Sequence, residues 1–184
     1  VAAGVVAYDD LTGLGLVRTG EPTGLKPMLL AHSADLVAGE PVVVLPYGGQ
    51  QTVRPAYTVL RRSFAGYGGY LLESAIFTAP AHPMFGGAAL ISTQDELVGI
   101  GSLAVDHAAG STRQLPGNVF VPVDLLKASL RALLTLDRSA KPSKPWIGVF
   151  TEDSPTGLHV NRVAADSPSE QAGVEAGDII VVVG

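Results

Sequence analysis

Residues 79–102 read APAHPMFGGAALISTQDELVGIGS, and the fold is decided in this stretch. Ala88 to Ser92 is a short apolar run, Thr93-Gln94-Asp95-Glu96 is polar and turn-like, and Leu97 to Gly101 is an apolar return. That pattern predicts two β-strands joined by a tight connection. Phe85-Gly86-Gly87 precedes the first strand, and its two glycines allow the chain to bend sharply there. The remaining sequence has the same grammar of short apolar runs between turn residues, with 22 glycines and 13 prolines in 184 residues. A turn-rich, mainly β architecture follows.

Hydrophobic residues make up 47% of the chain and charged residues 16%, which supplies a core and argues against disorder. The formal net charge of -5 leaves no basic surface for a nucleic acid. There is no cysteine, hence no disulfide or thiol chemistry. No apolar stretch approaches the roughly 20 residues of a membrane helix. Val1 opens in strand-like sequence without Met or leader, and the chain stops just after the strand-like run Ile179 to Val183. Both ends read as cut, so the expectation is a fragment of a longer chain.

Taken in order, Val5 to Tyr8 and Leu14 to Arg18 are strand-like around the turn Asp9-Asp10-Leu11-Thr12-Gly13. Pro41 to Leu45 is a buried strand, Thr52 to Arg62 and Tyr70 to Thr78 are further strands, and Phe64 to Tyr70 is a Gly/aromatic loop. Val119 to Val123 is the last strand before a helix. Asp124 is placed as its N-cap, and Leu126, Leu130, Leu133 and Leu134 recur at helical spacing. DRSAKPSKP at 137–145 reads as a linker. Beyond it, Trp146 to Phe150 and Gly157 to Val163 are strand-like. Ser167 to Gly173 carries helix punctuation: Ser167 as N-cap, Pro168 at the first position, Glu170 closing a capping box and Gly173 as the stop.

This order of pieces resembles the trypsin-like serine proteases of the HtrA/DegP type. Gly86-Gly87-Ala88 resembles the end of their G-N-S-G-G-x-L nucleophile loop, and Leu97-Val98-Gly99-Ile100 their V-I-G-I return strand. Val119-Phe120-Val121-Pro122 is similar to G-F-A-I-P, and Trp146-Ile147-Gly148-Val149 and Gly177-Asp178-Ile179-Ile180 to the Y-L-G-V and G-D-x-I of a bacterial PDZ domain. The resemblance implies a trypsin-like double β-barrel lacking its N-terminal part, followed by the first part of a PDZ domain. It divides the chain into 1–136 (1–50 ending the first barrel, 51–136 the second barrel and its helix), the linker 137–145, and a truncated PDZ domain at 146–184.

The resemblance also implies a degenerate active site. Phe85 falls where the family has its catalytic serine, and a phenyl ring can neither attack a carbonyl nor carry a proton. Gly13 falls at the triad aspartate, while Asp9 and Asp10 read as solvated turn carboxylates. The family histidine belongs to a segment N-terminal to this sequence. Pro83 falls two residues before Phe85, where an oxyanion-hole N–H is needed, and proline has none. Phe85 is expected to fill the former cleft as a buried packing residue. Among the histidines, Asp106-His107 near Ser102 superficially offers a triad, but adjacent residues of an extended run point apart. His82 reads as a packed or solvated loop residue rather than a ligand, and His32 and His159 complete the set. No spacing suggests zinc and no cofactor is implied.

Two function classes remain. One is a catalytically inactive HtrA-like protein that binds peptides or unfolded segments through the PDZ module, with Trp146, Ile147, Gly148 and Val149 as the loop that would hold a C-terminal carboxylate. The other is an active serine endopeptidase of protein quality control, with its catalytic residues outside this sequence or in another register. The resemblance further implies a periplasmic or otherwise extracytoplasmic location, and homo-oligomers formed through N-terminal segments.

Overall fold

A computed structural model describes residues 1–9, 12–65, 71–110, 114–135, 146–154 and 157–181. The chain divides into two compact units, Val1–Ala140 and Lys141–Gly184. Among the described residues no helix is long and apolar enough to cross a membrane.

The first unit opens with an antiparallel hairpin of β1 (Ala3–Asp9) and β2 (Leu14–Thr19), paired in a two-stranded sheet of their own. Its turn closes with Gly13 N–H on the Asp9 carbonyl at 2.8 Å, and Gly13 sits at φ 73°. Six later strands form a closed barrel: β3 (Pro41–Leu45), β4 (Arg54–Ala65), β5 (Leu71–Ala79), β6 (Ala89–Ile91), β7 (Leu97–Val105) and β8 (Gly117–Pro122). Their order is β3-β4-β5-β8-β7-β6, every pair antiparallel, with β6 returning to β3. Register shifts in β4 at Thr58/Leu60 and Arg62/Phe64 bend this long strand around the barrel.

Two apolar layers explain why β5 and β8 are buried almost throughout. Side chains alternate across a strand. Ile76 and Phe120 point inward with Val42, Val44, Ala56, Leu90 and Val98. Phe77, Val119 and Val121 lie in the other layer with Leu14, Leu72 and Ala75. Phe77 also meets Phe64 edge-on at 5.8 Å and carries the Arg62 guanidinium at 4.4 Å. Helix α1 (Val123–Thr135) adds half-buried Leu125 and Leu126 to this second layer.

Several expectations need correction. Pro41–Leu45 does not end a first barrel: it pairs with β4 and β6, so the closed barrel begins before residue 50. A buried strand has two edges to pair, and apolar content alone does not say with which neighbours. Asp124 is not the N-cap of α1 but lies inside its first turn, and its carboxylate faces another segment. Leu134 is exposed rather than part of the packed face. Thr52 belongs to a 3-10 turn (Gly49–Thr52), not to β4. The linker at 137–145, Asp10 and residues 66–70 of the aromatic loop lie outside the described residues.

In the second unit, β9 (Val149–Ser154), β10 (Gly157–Val163) and β11 (Ile179–Ile180) form a three-stranded antiparallel sheet ordered β11-β10-β9. The short helix α2 (Pro168–Gln171) starts as its punctuation predicts, with the Ser167 hydroxyl accepting the Glu170 N–H at 3.2 Å. The Glu170 carboxylate reaches one residue further back than a capping box requires and accepts the Asp166 N–H at 2.7 Å. Gly173, at φ 81°, ends the turn.

Two glycines of the quoted stretch differ sharply in what they tolerate. A Cβ on Gly101 would overlap the Phe85 carbonyl oxygen, whereas one on Gly86 would meet nothing within 4 Å. Gly101→Ala should therefore cost about 3 kcal/mol or more, while Gly86→Ala should change stability by about 0.5–1 kcal/mol at most. Urea denaturation of both variants checks this; equal midpoints would contradict the close approach.

Candidate functional site

The loop from β5 to β6 holds Phe85 and Pro83, which the resemblance sets at the nucleophile and oxyanion-hole positions. His82 is 5% exposed and tied on four sides. Its backbone N–H donates to Asn118 Oδ1 at 2.6 Å, and Asn118 Nδ2 donates back to the His82 carbonyl at 3.2 Å. Its Nδ1 accepts the Met84 N–H at 3.0 Å, so the ring proton sits on Nε2, which donates to the Thr52 carbonyl at 2.8 Å. Both ring nitrogens are thus engaged with backbone, which is the packed-loop reading of this histidine.

After His82 the chain makes a tight turn, with the Phe85 carbonyl accepting the Ala88 N–H at 2.9 Å and Gly87 at φ 71°. Gly87 N–H donates to the Gly101 carbonyl at 2.9 Å and Gly101 N–H to the Ala88 carbonyl at 2.8 Å, which fastens the turn to β7. Pro83 is exposed and has no N–H, and Met84 N–H is taken by His82. From Pro80 to Ala88 no side chain carries a hydroxyl, thiol, amine or carboxylate. The loop's one nucleophilic side chain is His82, and both ring nitrogens of that residue are bonded to backbone groups. Phe85 is half-buried rather than fully buried, a correction to the expectation that its ring fills a closed cleft.

The other sequence-derived candidates are dispersed. Gly13 occupies the β1–β2 turn with no side chain to orient a histidine. Ser102 lies on β7, Asp106 and His107 just past its end, and His107 bridges to Leu115. Among the described residues no group of three or more His, Cys, Asp or Glu could hold a metal ion.

One constellation escaped the sequence reading. The Ser33 hydroxyl donates to Asp124 Oδ2 at 2.6 Å, Ala34 N–H reaches the same oxygen at 3.2 Å, and Lys127 Nζ stands 3.2 Å from Oδ1, with His32 Nδ1 at 3.9 Å. Burial pushes the Asp124 carboxyl up, but the Ser33 hydroxyl bond and Lys127 outweigh it and hold it below its ordinary value. The Arg61 guanidinium bonds the Ser33 carbonyl and stands 3.2 Å from Ser74 Oγ; burial lowers its pKa, opposed by Asp124 and Asp35. Serine, histidine and aspartate are all present, yet this is no triad. Ser33 is fully buried and bonds the carboxylate directly, while the histidine stays outside in solvent. The cluster clips the turn at Ser33–Asp35 to the start of α1. The residue 91 positions away that answers Ser33 leaves no local signal in sequence.

In the second unit Gly148 is buried at φ 81°, and a Cβ there would overlap Ser167. The Ile147 carbonyl accepts Ser169 N–H at 3.0 Å and the Gly148 carbonyl accepts Ala164 N–H at 2.8 Å. These bonds fix the loop while Trp146 and Ile147 stay 58% and 59% exposed. Val149 then opens β9, an edge strand among the described residues.

Comparison with known proteins gives these observations a setting. The family described as a trypsin-like peptidase domain matches residues 1–100. Serine protease PepD of Mycobacterium tuberculosis is 29% identical over 97% of this chain and 41% of its own length. The periplasmic pH-dependent serine endoprotease DegQ of Escherichia coli is also 29% identical, over 97% and 41%. Serine endoprotease DegS of Haemophilus influenzae is 25% identical over 97% and 53%. The chain thus spans 41% to 53% of the length of these relatives. A solved structure described as HtrA-type protease AlgW with decapeptide superposes with a TM-score of 0.59 at 22% identity, over 98% of this chain and 57% of that one, a likeness of fold. With more than half of its residues matched, the chain belongs to the trypsin-like peptidase domain family, as a homologue of the HtrA/DegP-type serine proteases.

Proposed function

We propose that this chain is a catalytically inactive HtrA homologue that acts by binding peptides through its second unit, in the manner of a PDZ domain. The observation that carries the inactive reading is the Pro80 to Ala88 loop, which is held by the bonds of His82, has no hydroxyl or thiol, and has both ring nitrogens of its one histidine committed to backbone. On the alignment by resemblance, Phe85 takes the serine's place, Gly13 the aspartate's and Pro83 that of an oxyanion-hole donor. Acyl transfer needs all three functions together. The active-endopeptidase alternative gains no residue from the described loop. A location outside the cytoplasm is proposed from relatives such as the periplasmic DegQ, and cell fractionation checks it.

The binding reading rests on β9 and the loop before it. An edge strand offers unpaired backbone groups to an incoming extended peptide. The Trp146 to Val149 loop has its Ile147 and Gly148 carbonyls already committed, which fixes its peptide groups, and a terminal carboxylate would be met by N–H donors of this loop. The exposed Trp146 and Ile147 would cover an apolar terminal side chain. One solved structure of similar fold is described as AlgW with a decapeptide, and peptide binding is proposed here at micromolar affinity or weaker, roughly -8 kcal/mol at best.

Two experiments test the two halves separately. Apolar C-terminal peptides should bind the complete protein, and amidating their terminal carboxyl should weaken binding; equal affinity of acid and amide would overturn the carboxylate-loop assignment. Restoring a hydroxyl with Phe85→Ser should give no labelling by a fluorophosphonate probe in this 184-residue chain, and adding Gly13→Asp should not rescue it. Catalytic residues act as a unit, and one missing oxyanion donor alone costs about 10²–10³ in rate. Labelling of the single variant would show that a base and an oxyanion hole survive.

A further inference from the structure

We propose that Thr58 and Thr78 together bind one internal water molecule at the polar end of the barrel. Both side chains are completely buried, and the hydroxyl oxygen of each lacks a hydrogen-bond partner. They stand directly opposite one another on β4 and β5. The backbone of Thr58 is committed to the other side, where its N–H donates to the Glu40 carbonyl at 2.9 Å and its carbonyl accepts the Gly39 N–H. Facing β5, the pair is therefore of the non-hydrogen-bonded kind, in which side chains approach most closely.

The same row continues onto β8, where Asn118 lies opposite Thr78. By strand alternation Thr58 follows Ala56, Thr78 follows Ile76 and Asn118 precedes Phe120 on the inward face, so the interior turns from apolar to polar at this level. Orphaned buried hydroxyls cost about 1–3 kcal/mol each, and buried waters in proteins are found where two to four such groups converge. A hydroxyl offers one donor and two acceptor sites, and the Asn118 carboxamide keeps a second N–H and a second lone pair beyond its bonds to His82. Glu40, which follows Thr58 in the row on the other side, has a carboxylate oxygen engaged by the Val37 N–H, and the three groups Thr58, Thr78 and Asn118 are neutral, which suits water rather than an ion.

A crystal structure of the intact protein at a resolution that orders internal waters tests this. The expected result is a density peak about 2.7–3.0 Å from both hydroxyl oxygens. A direct bond between the two hydroxyls, or a dry interior, would overturn the proposal. In solution, water-to-protein NOEs to the Thr78 methyl should survive Thr58→Ser, which keeps the hydroxyl, and fall several-fold in Thr58→Val. An NOE unchanged in Thr58→Val would overturn the shared site. Should the valine variant fail to fold, the wild-type crystal structure decides alone.

Discussion

The Asn118 carboxamide exchanges two hydrogen bonds with the backbone N–H and carbonyl of His82 inside the protein, and the corner of the barrel depends on them. Asn118 is the second residue of β8, the strand that lies between β5 and β7. His82 is the only titratable side chain in the loop that leaves β5. Through its ring the same residue reaches the Thr52 carbonyl before β4 and the Met84 N–H ahead of the tight turn. Each bond is worth about 0.5–1.5 kcal/mol net, and a buried group left without its partner costs about 1–3 kcal/mol. The loop is thereby a fixed corner, and its far side is welded to β7 by the pair of bonds around Gly101.

The strands were legible because their apolar runs are short and bounded by turn residues; the quoted stretch yields β6, its polar turn and the start of β7 nearly as read. Partnership was not legible. Pro41–Leu45 has the same composition whichever barrel it joins, and only long-range pairing with β6 assigns it. Asp124 looked like a cap because caps are chosen from local sequence, whereas its true partner Ser33 lies far away in the chain. The helix stripe failed at Leu134, which emerges beyond the surface that α1 covers. At the candidate site the residue types were readable directly, since a loop without a hydroxyl is evident in one dimension. The half-burial of Phe85 and the four bonds of His82 were not, because both depend on what packs around them.

The proposed function separates two inheritances of one fold. The barrel unit keeps the framework of a peptidase, with the tight turn at Phe85 to Ala88 and the glycine that lets β7 approach it. On the proposed reading, what it lacks is chemical rather than architectural. The second unit has, among the described residues, an edge strand and an anchored loop, whose Gly148 lies too near Ser167 at the head of α2 to carry a side chain. Under the proposed function, binding needs only such exposed backbone and apolar side chains and does not depend on hydrolysis.

The most direct measurement is exposure of the complete wild-type protein to a fluorophosphonate probe, with casein cleavage followed in parallel. The account predicts no covalent adduct and no cleavage. An adduct formed with Phe85 in place would contradict it and direct the search to another serine, with Ser102 on β7 examined first.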